Sequence, residues 1–180
     1  ITHTKKEVGL IANNGKNIRN DLVSFLGKKA ENKILVFIYL GEHGTRSVNW
    51  SNLRNNKYCL FLTRDPIKHP DVHFIDDKFS YHDLIASSDI TLTKGGYSTL
   101  ATSFANHKPV ITCERDDFYE FEAVREYLQK WQIGIIVKSA PFKQGDWQEP
   151  IKEALKLTVK NKVPLNGEIE IAKIVQQMLS

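Results

Sequence analysis

The sequence is poor in cysteine and methionine and contains no long apolar segment. Its two cysteines, Cys59 and Cys113, stand alone in apolar surroundings, without the CxxC spacing of a redox or zinc motif. This usage is typical of a reducing compartment, and we expect a cytoplasmic protein. The longest apolar run, residues 34–40, is seven residues long, far below the about 20 that a membrane-spanning helix needs. We therefore expect no membrane span.

The amino terminus also lacks the apolar stretch of a signal peptide, and its first residue is isoleucine rather than methionine. We expect the sequence to be a piece of a longer chain. With 180 residues, of which 41% are apolar and 26% charged, the chain is long enough to form one hydrophobic core without disulfides or a structural metal. The prediction is a single domain over residues 1–180, with residues 1–30 as a lead-in segment.

The net charge of +4 conceals an uneven distribution. Residues 1–70 carry +7, residues 71–126 carry −6 and residues 127–180 carry +3. A nucleic-acid-binding protein is expected to show a basic stripe along its most motif-like segment, but here that segment is acidic. We therefore expect no nucleic-acid partner, whereas a basic region beside a site for a small anion is compatible with the pattern.

Apolar periodicity predicts alternating strands and helices, which is typical of an α/β protein with a parallel sheet. We expect about six strands, with helices covering both faces of the sheet. The predicted strands are 33–40, 58–63, 72–76, 90–93, 109–113 and 133–137, and the predicted helices are 18–26, 81–88, 98–106, 118–131, 147–158 and 168–179.

The loop after the first predicted strand contains Gly41, His43 and Gly44. In open parallel sheets, ligands bind beyond the carboxyl ends of the strands, and glycines let the backbone approach a ligand closely. His43 is a candidate phosphate donor or proton carrier. An ordinary glycine turn with an exposed histidine remains the alternative.

A sharper pattern is the Thr-Lys-Gly-Gly-Tyr-Ser-Thr segment at 93–99, between a predicted strand and a predicted helix. Gly95 and Gly96 leave room for a diphosphate, and the first N–H groups of the helix would donate to it. Ser98 or Thr99 is expected to cap the helix or to add a hydroxyl donor. Because Lys94 precedes the glycines, the spacing is not that of a P-loop. A tight turn with an ordinary cap is the alternative interpretation.

A third candidate is the charged segment 114–120. Its carboxylates can accept hydrogen bonds from sugar hydroxyls, and Arg115 can neutralise a phosphate. Alternatively, Asp117 caps the following helix and Glu120 lies in its first turn.

Segments 83–89, 93–99, 108–109 and 115–118 together resemble the C-terminal, nucleotide-sugar-binding half of GT-B glycosyltransferases. This group includes the peptidoglycan N-acetylglucosaminyltransferase and plant galactolipid synthases. The chain is most similar there to the glycosyltransferase-like domain of plant arabinokinase. The likeness extends over residues 33–178 and implies a Rossmann-like sheet that forms one half of a GT-B fold.

The resemblance implies the donor-binding half of a glycosyltransferase that uses a UDP-sugar, without a cofactor or an obligatory metal. It implies a further acceptor-binding domain on the amino-terminal side of the same chain, and it assigns no catalytic residue within these 180 residues. Phe74 would stack on the base and the backbone of Ile75 would read its edge. The diphosphate would contact Gly41, His43, Gly44, Lys94, Gly95, Gly96, Tyr97, Ser98 and Thr99. The ribose and sugar would contact Thr102, Arg115, Asp116, Asp117, Phe118 and Glu120.

The chain departs from the family pattern at three positions. Thr102 stands where many members carry a glutamate that holds the ribose, and Phe121 and Val124 align with a glutamine and an asparagine. A hydroxyl makes weaker hydrogen bonds than a carboxylate, and apolar side chains make none. Two alternatives therefore stay open: a non-catalytic nucleotide-sugar-binding or regulatory module, and a nucleotide-sugar epimerase domain.

Overall fold

The structure, a computed structural model, describes residues 7–160 and 162–179. One sheet contains β1 (Ile34–Tyr39), β2 (Cys59–Thr63), β3 (Val72–Phe74), β4 (Ile90–Thr93), β5 (Val110–Cys113) and β6 (Gly134–Val137). All pairings are parallel, and the strand order is β3-β2-β1-β4-β5-β6. This is the order of a doubly wound Rossmann fold. The predicted α/β architecture is thereby confirmed.

Within the described residues, the helices are α1 (Arg19–Leu26), α2 (Gly41–Arg46), α3 (Tyr81–Ser87), α4 (Tyr97–Ala105), α5 (Phe121–Trp131), α6 (Ser139–Lys143), α7 (Gln148–Ala154) and α8 (Gly167–Leu179). Two 3₁₀ segments, Lys28–Ala30 and Trp50–Asn55, complete the connections. Sequence analysis missed α2 and α6. Both are too short to show helical periodicity, and α2 contains two glycines, which disfavour helices. The prediction that a helix starts at residue 118 was wrong by three residues.

The core lies on both faces of the sheet because side chains alternate along the strands. In β1, Leu35 and Phe37 pack on one face with α1 and α3, whereas Val36 and Ile38 pack on the other. On that second face, the ring of the fully buried Trp147 contacts the ring of Phe61 edge-on and the ring of Phe142 at a tilt. A third apolar cluster joins α4 and α5 to β5.

The described part of the lead-in segment, residues 7–30, packs closely on this core. The N–H of Gly9 donates to Oε2 of Glu170 at 2.8 Å, and the N–H of Gly15 donates to Oδ1 of Asn106 at 3.0 Å. Leu22, in α1, is fully buried. Residues 1–6, 161 and 180 of the predicted domain lie outside the described residues.

No helix in the described ranges combines the length and the apolar content that a membrane crossing requires.

Candidate functional site

The candidate site lies where β1 and β4 run side by side. The last residues of the two strands, Tyr39 and Thr93, are paired in register, so Leu40 and Lys94 leave the sheet at the same edge. The segments that follow the two strands then pack on opposite faces of the sheet. The segment after β1 packs in the apolar cluster that contains Trp147, whereas α4 packs in the cluster on the other face. Such a switch point opens a crevice at the carboxyl ends of the strands, which is the usual place for a ligand in this architecture.

A cavity of about 590 Å³ occupies this edge and is called the cleft below. Its lining comes from the segments that follow β1, β4, β5 and β6, which converge there. The lining residues are Leu40, His43, Gly44, Ser47, Lys94, Cys113, Glu114, Arg115, Asp116, Asp117, Ser139, Phe142 and Lys143. The structure thus brings together six of the residues that sequence analysis assigned to the site.

The glycine loop after β1 lies directly against Lys94. Gly41 has a φ of +71°, which favours glycine, and a Cβ there would lie 3.1 Å from Nζ of Lys94. Within the described residues, the Lys94 ammonium makes no ion pair or hydrogen bond with another group. Gly41 therefore leaves room for a cation that is free to bind a ligand.

The amino terminus of α4 contributes uncapped N–H groups to the same edge. The N-cap residue is Gly96, and no side chain caps this terminus. The expectation that Ser98 or Thr99 caps the helix was wrong: Oγ1 of Thr99 instead accepts a hydrogen bond from the hydroxyl of Tyr81 at 2.7 Å. The first N–H groups of a helix have no partner within it and carry partial positive charge. They are suited to bind an anion.

Asp65, in the loop after β2, contacts the loop after β1 and was not singled out by sequence analysis. The residue is 4% exposed, and its carboxylate accepts hydrogen bonds from the N–H groups of Leu40 at 2.6 Å and Gly41 at 3.1 Å. Burial raises the pKa of this carboxyl, although the two donors and the charge of Lys94 act in the opposite direction. In the sequence, an Asp-Pro pair predicts only a turn, so nothing there distinguished this residue.

In the charged segment after β5, two of the four carboxylates form ion pairs in the described ranges, and Asp116 and Glu120 do not. The Arg115 guanidinium binds both carboxylate oxygens of Asp117, at 3.0 and 3.1 Å, and stacks on the ring of Phe118. This hydrogen bonding lowers the pKa of Asp117. Glu114 is paired with Arg125 at 2.8 Å. The predicted role of Asp117 as a helix cap was wrong because α5 begins only at Phe121, with Glu120 as its N-cap.

Two further basic side chains line the cleft without a protein partner in the described ranges: His43 from α2 and Lys143 from α6. Sequence analysis missed Lys143, because α6 was not predicted and a lysine in a loop carries no distinguishing pattern. Within the described residues, Lys94 and Lys143 give the cleft two positive charges without an ion pair, and Asp116 gives it one such negative charge. The unpaired groups of the lining thus sum to one positive charge.

A second cavity of about 330 Å³ lies between α4 and α5, beyond the glycine pair. Its walls are mainly apolar. They comprise Leu10, Gly95, Tyr97, Leu100, Ala101, Phe104, Phe118, Glu120, Ala123, Val124, Tyr127 and Leu128. Four residues that were predicted to contact the ligand therefore line this second cavity rather than the cleft: Gly95, Tyr97, Phe118 and Glu120.

Other predicted contacts lie outside both cavities. Phe74 is 56% exposed at the end of β3, two strands from β1. Ile75 is fully buried and its N–H donates to the carbonyl of Thr63, so only its own carbonyl remains for a base. Thr102 is 4% exposed within α4, and the structure does not bring its hydroxyl to the cleft. Gly96 and Ser98 line neither cavity, although their backbone lies at the start of α4.

Over the described residues, no group of three or more His, Cys, Asp or Glu side chains is arranged to hold a metal ion.

Comparisons with solved structures identify this architecture. The calicheamicin glycosyltransferase superposes with a TM-score of 0.63 and 15% identity, over 83% of this chain and 43% of that protein. The chain has the fold of one half of a GT-B glycosyltransferase. A putative UDP-N-acetylglucosamine 2-epimerase from Listeria monocytogenes also shares this fold, with a TM-score of 0.56 and 10% identity over 95% of this chain and 50% of that one.

Among curated proteins, L-arabinokinase from Arabidopsis thaliana is 24% identical over 173 residues. The match covers 95% of this chain but only 17% of the arabinokinase, so this GT-B-like domain corresponds to a small part of that relative. No protein-family profile matches the chain. The predicted resemblance to the GT-B fold is confirmed, whereas the proposed closeness to the peptidoglycan enzyme stays a prediction.

Proposed function

We propose that this domain binds a nucleotide diphosphate sugar, with UDP as the nucleotide, and forms the donor-binding half of a glycosyltransferase. One observation carries the proposal. At the switch point of the sheet, the uncapped start of α4, the Gly41 backbone and the unpaired ammonium of Lys94 converge on one edge. The N–H groups at the start of α4 and the Lys94 cation together suit a diphosphate. The Gly41 N–H is occupied by Asp65, so Gly41 contributes only the space left by its missing side chain.

The charge balance of the cleft agrees with such a ligand. After Arg115 and Glu114 are paired with neighbouring residues, Lys94, Lys143 and the Asp116 carboxylate remain without an ion pair in the described ranges, which leaves one net positive charge. A sugar-linked diphosphate carries two negative charges, of which the cleft would offset part. Amides and ammonium groups held in place before the reaction also stabilise charge that develops on a departing diphosphate. The domain would thus bind the donor and stabilise the leaving group.

The exposed ring of Phe74 is suitably placed to stack on the base. Parallel strands lie about 4.8 Å apart, so the end of β3 lies roughly 10 Å from the end of β1. This spacing is compatible with a nucleoside bound along the edge and its diphosphate in the cleft. An acceptor site and a general base would come from a second domain, because this chain spans only 43% of the calicheamicin glycosyltransferase.

Calorimetric titration with UDP, UDP-sugars and GDP-sugars tests this function. We expect saturable binding of UDP and UDP-sugars and weaker binding of GDP-sugars. If none of these nucleotides binds, the proposed function is wrong.

Gly96→Val then tests the location. A Cβ at Gly96 meets no atom within 4 Å, and its φ of −66° suits any residue, so the fold should tolerate valine. We expect the valine to weaken UDP binding at least about tenfold by blocking access to the helix start. Ser98→Ala is the matched control: it removes a hydroxyl at the same turn but keeps the amide, and should bind UDP within about threefold of the unaltered chain. Unchanged affinity of Gly96→Val would place the site elsewhere.

A second candidate function is a nucleotide-sugar-binding module without transferase activity. Phe121 is buried and Val124 is apolar at the positions that would face the sugar. The curated relative is named as a kinase, and this domain matches a small share of it. Turnover of the longer chain that contains this domain separates the two functions, because a binding module would bind UDP-sugar without transferring or hydrolysing it. The epimerase alternative rests on fold alone.

A further inference from the structure

The buried carboxylate of Asp65 lies directly beneath the loop that borders the cleft. Hydrogen bonds fix its backbone: the N–H of Asp65 donates to Oγ1 of Thr63 at 2.9 Å, and that hydroxyl donates to the carbonyl of Ile38 at 2.9 Å. The carboxylate in turn accepts the N–H groups of Leu40 and Gly41. Asp65 therefore ties the loop after β1 to the end of β2.

A buried carboxylate is costly unless donors or a cation compensate for the lost water. Here the two backbone donors compensate in part, and the charge of Lys94 acts in the same direction. The Lys94 ammonium forms no ion pair or hydrogen bond in the described ranges, and it lies against the open side of Gly41. The order from the core to the cleft is thus the Asp65 carboxylate, the Gly41 backbone and the Lys94 ammonium.

We propose that Asp65 is a positioning residue of the nucleotide-sugar site: it fixes the Leu40 and Gly41 amides, and its charge holds the Lys94 ammonium over Gly41 before the diphosphate binds. This inference rests on the proposed function. Its physical basis is preorganisation, because a cation that is already held in place loses less conformational freedom when the ligand arrives. If Asp65 only stabilised the loop, its replacement would weaken UDP binding equally with and without the Lys94 ammonium.

A double-mutant cycle distinguishes these roles. Asp65→Asn keeps an oxygen that can accept the backbone N–H groups but removes the charge. We expect it to weaken UDP binding about fivefold in the unaltered chain and to have no further effect in a Lys94→Met background. An equal loss in both backgrounds, or no loss in either, would overturn the inference.

Asp65→Ala and a matched control provide a second readout. Asp83→Ala removes another carboxylate that accepts a backbone N–H, from Lys16 at 2.7 Å, but away from the cleft. In proton–nitrogen NMR spectra, we expect Asp65→Ala to shift the Gly41 amide resonance strongly, Asp65→Asn to restore much of the shift, and Asp83→Ala to leave it unchanged. If the Gly41 resonance does not move in folded Asp65→Ala, the inference is wrong. If the unaltered chain does not bind UDP, the proposed function is wrong, and this role for Asp65 is wrong with it.

Discussion

The hydroxyl of Tyr81 shows how one side chain links two helices near the candidate site. It donates to Oγ1 of Thr99 at 2.7 Å and so joins α3 to the first turns of α4. Burial raises the pKa of Tyr81 to about 12, although the hydrogen bond to Thr99 acts in the opposite direction. The folded state therefore favours the protonated phenol.

Because the folded pKa lies above that of the unfolded chain, this contribution to stability is complete below about pH 10. It is lost as the pH rises through about 12. We expect Tyr81→Phe to lower the free energy of unfolding by about 1 kcal/mol at pH 7. The difference between the two chains should shrink as the pH rises above about 10. Urea unfolding at pH 7 and above about pH 10 measures this difference. Tyr58→Phe, which removes an exposed hydroxyl, is the control. A difference that does not change with pH would contradict the assignment.

At the residue scale, the two glycine loops adopt a backbone that favours glycine. Gly41 and Gly95 both have positive φ, and Lys94 lines the cleft, whereas the contacts of these residues with a ligand stay predictions. The sequence did not reveal which charged groups are paired. Arg115 binds Asp117, two residues away in the same loop, and this removes a cation that was expected to bind phosphate. Asp65 contacts the loop after β1 from the loop after β2, and this contact depends on the adjacency of the two strands.

The first helix is attached to the sheet by a polar cluster at the amino ends of the strands. Nη1 of Arg19 donates to both carboxylate oxygens of Asp89 at 3.0 Å, and its Nη2 donates to the carbonyl of Lys33 at 3.0 Å. Oδ2 of Asp89 also accepts the N–H of Leu35 at 2.7 Å. One guanidinium thus connects α1 with the beginnings of β1 and β4, at the edge opposite the cleft.

We expect Arg19→Ala to lower the free energy of unfolding by about 2 kcal/mol, because charge-assisted hydrogen bonds are lost and Asp89 remains partly buried. Arg19→Lys should recover only part of this, since an ammonium cannot form the same fork. Chemical denaturation measures both values. UDP affinity of the folded chain should stay unchanged, and a weaker affinity would contradict the separation between this cluster and the cleft.

At the scale of elements, six of the eight described helices were predicted, and the two shortest, α2 and α6, were not. Strand β4 was predicted with its observed bounds, and α4 and α8 within one residue at each end, because a buried strand or an amphipathic helix leaves a clear pattern. In contrast, α2 and α6 border the cleft and were missed. Their five or six residues adopt helical turns because neighbouring segments pack on them, as Phe142 packs on Trp147.

For the whole molecule, the described lead-in segment is an integral layer of the domain. Leu22 is fully buried among Leu35, Phe37 and neighbouring apolar residues, and the polar cluster of Arg19 adds to this packing. We expect a truncated chain that begins at Lys33 to lose at least about 4 kcal/mol of unfolding free energy, because the face covered by α1 becomes exposed. Thermal and urea unfolding measure this loss. A truncated chain as stable as the full one would contradict the assignment of α1 to the core.

The sequence by itself determined the α/β class, the parallel sheet and the glycine turn that precedes α4, because strand burial, helical periodicity and glycine spacing are local properties of the chain. The tertiary structure decided which charged groups remain free at the cleft. Within the described residues, Lys94 and Lys143 have no ion pair there, and the Asp65 carboxylate binds the loop after β1 from the loop after β2. The reason is that pairing and burial depend on distances between strands and loops that are remote in sequence, and these distances exist only after the sheet has formed.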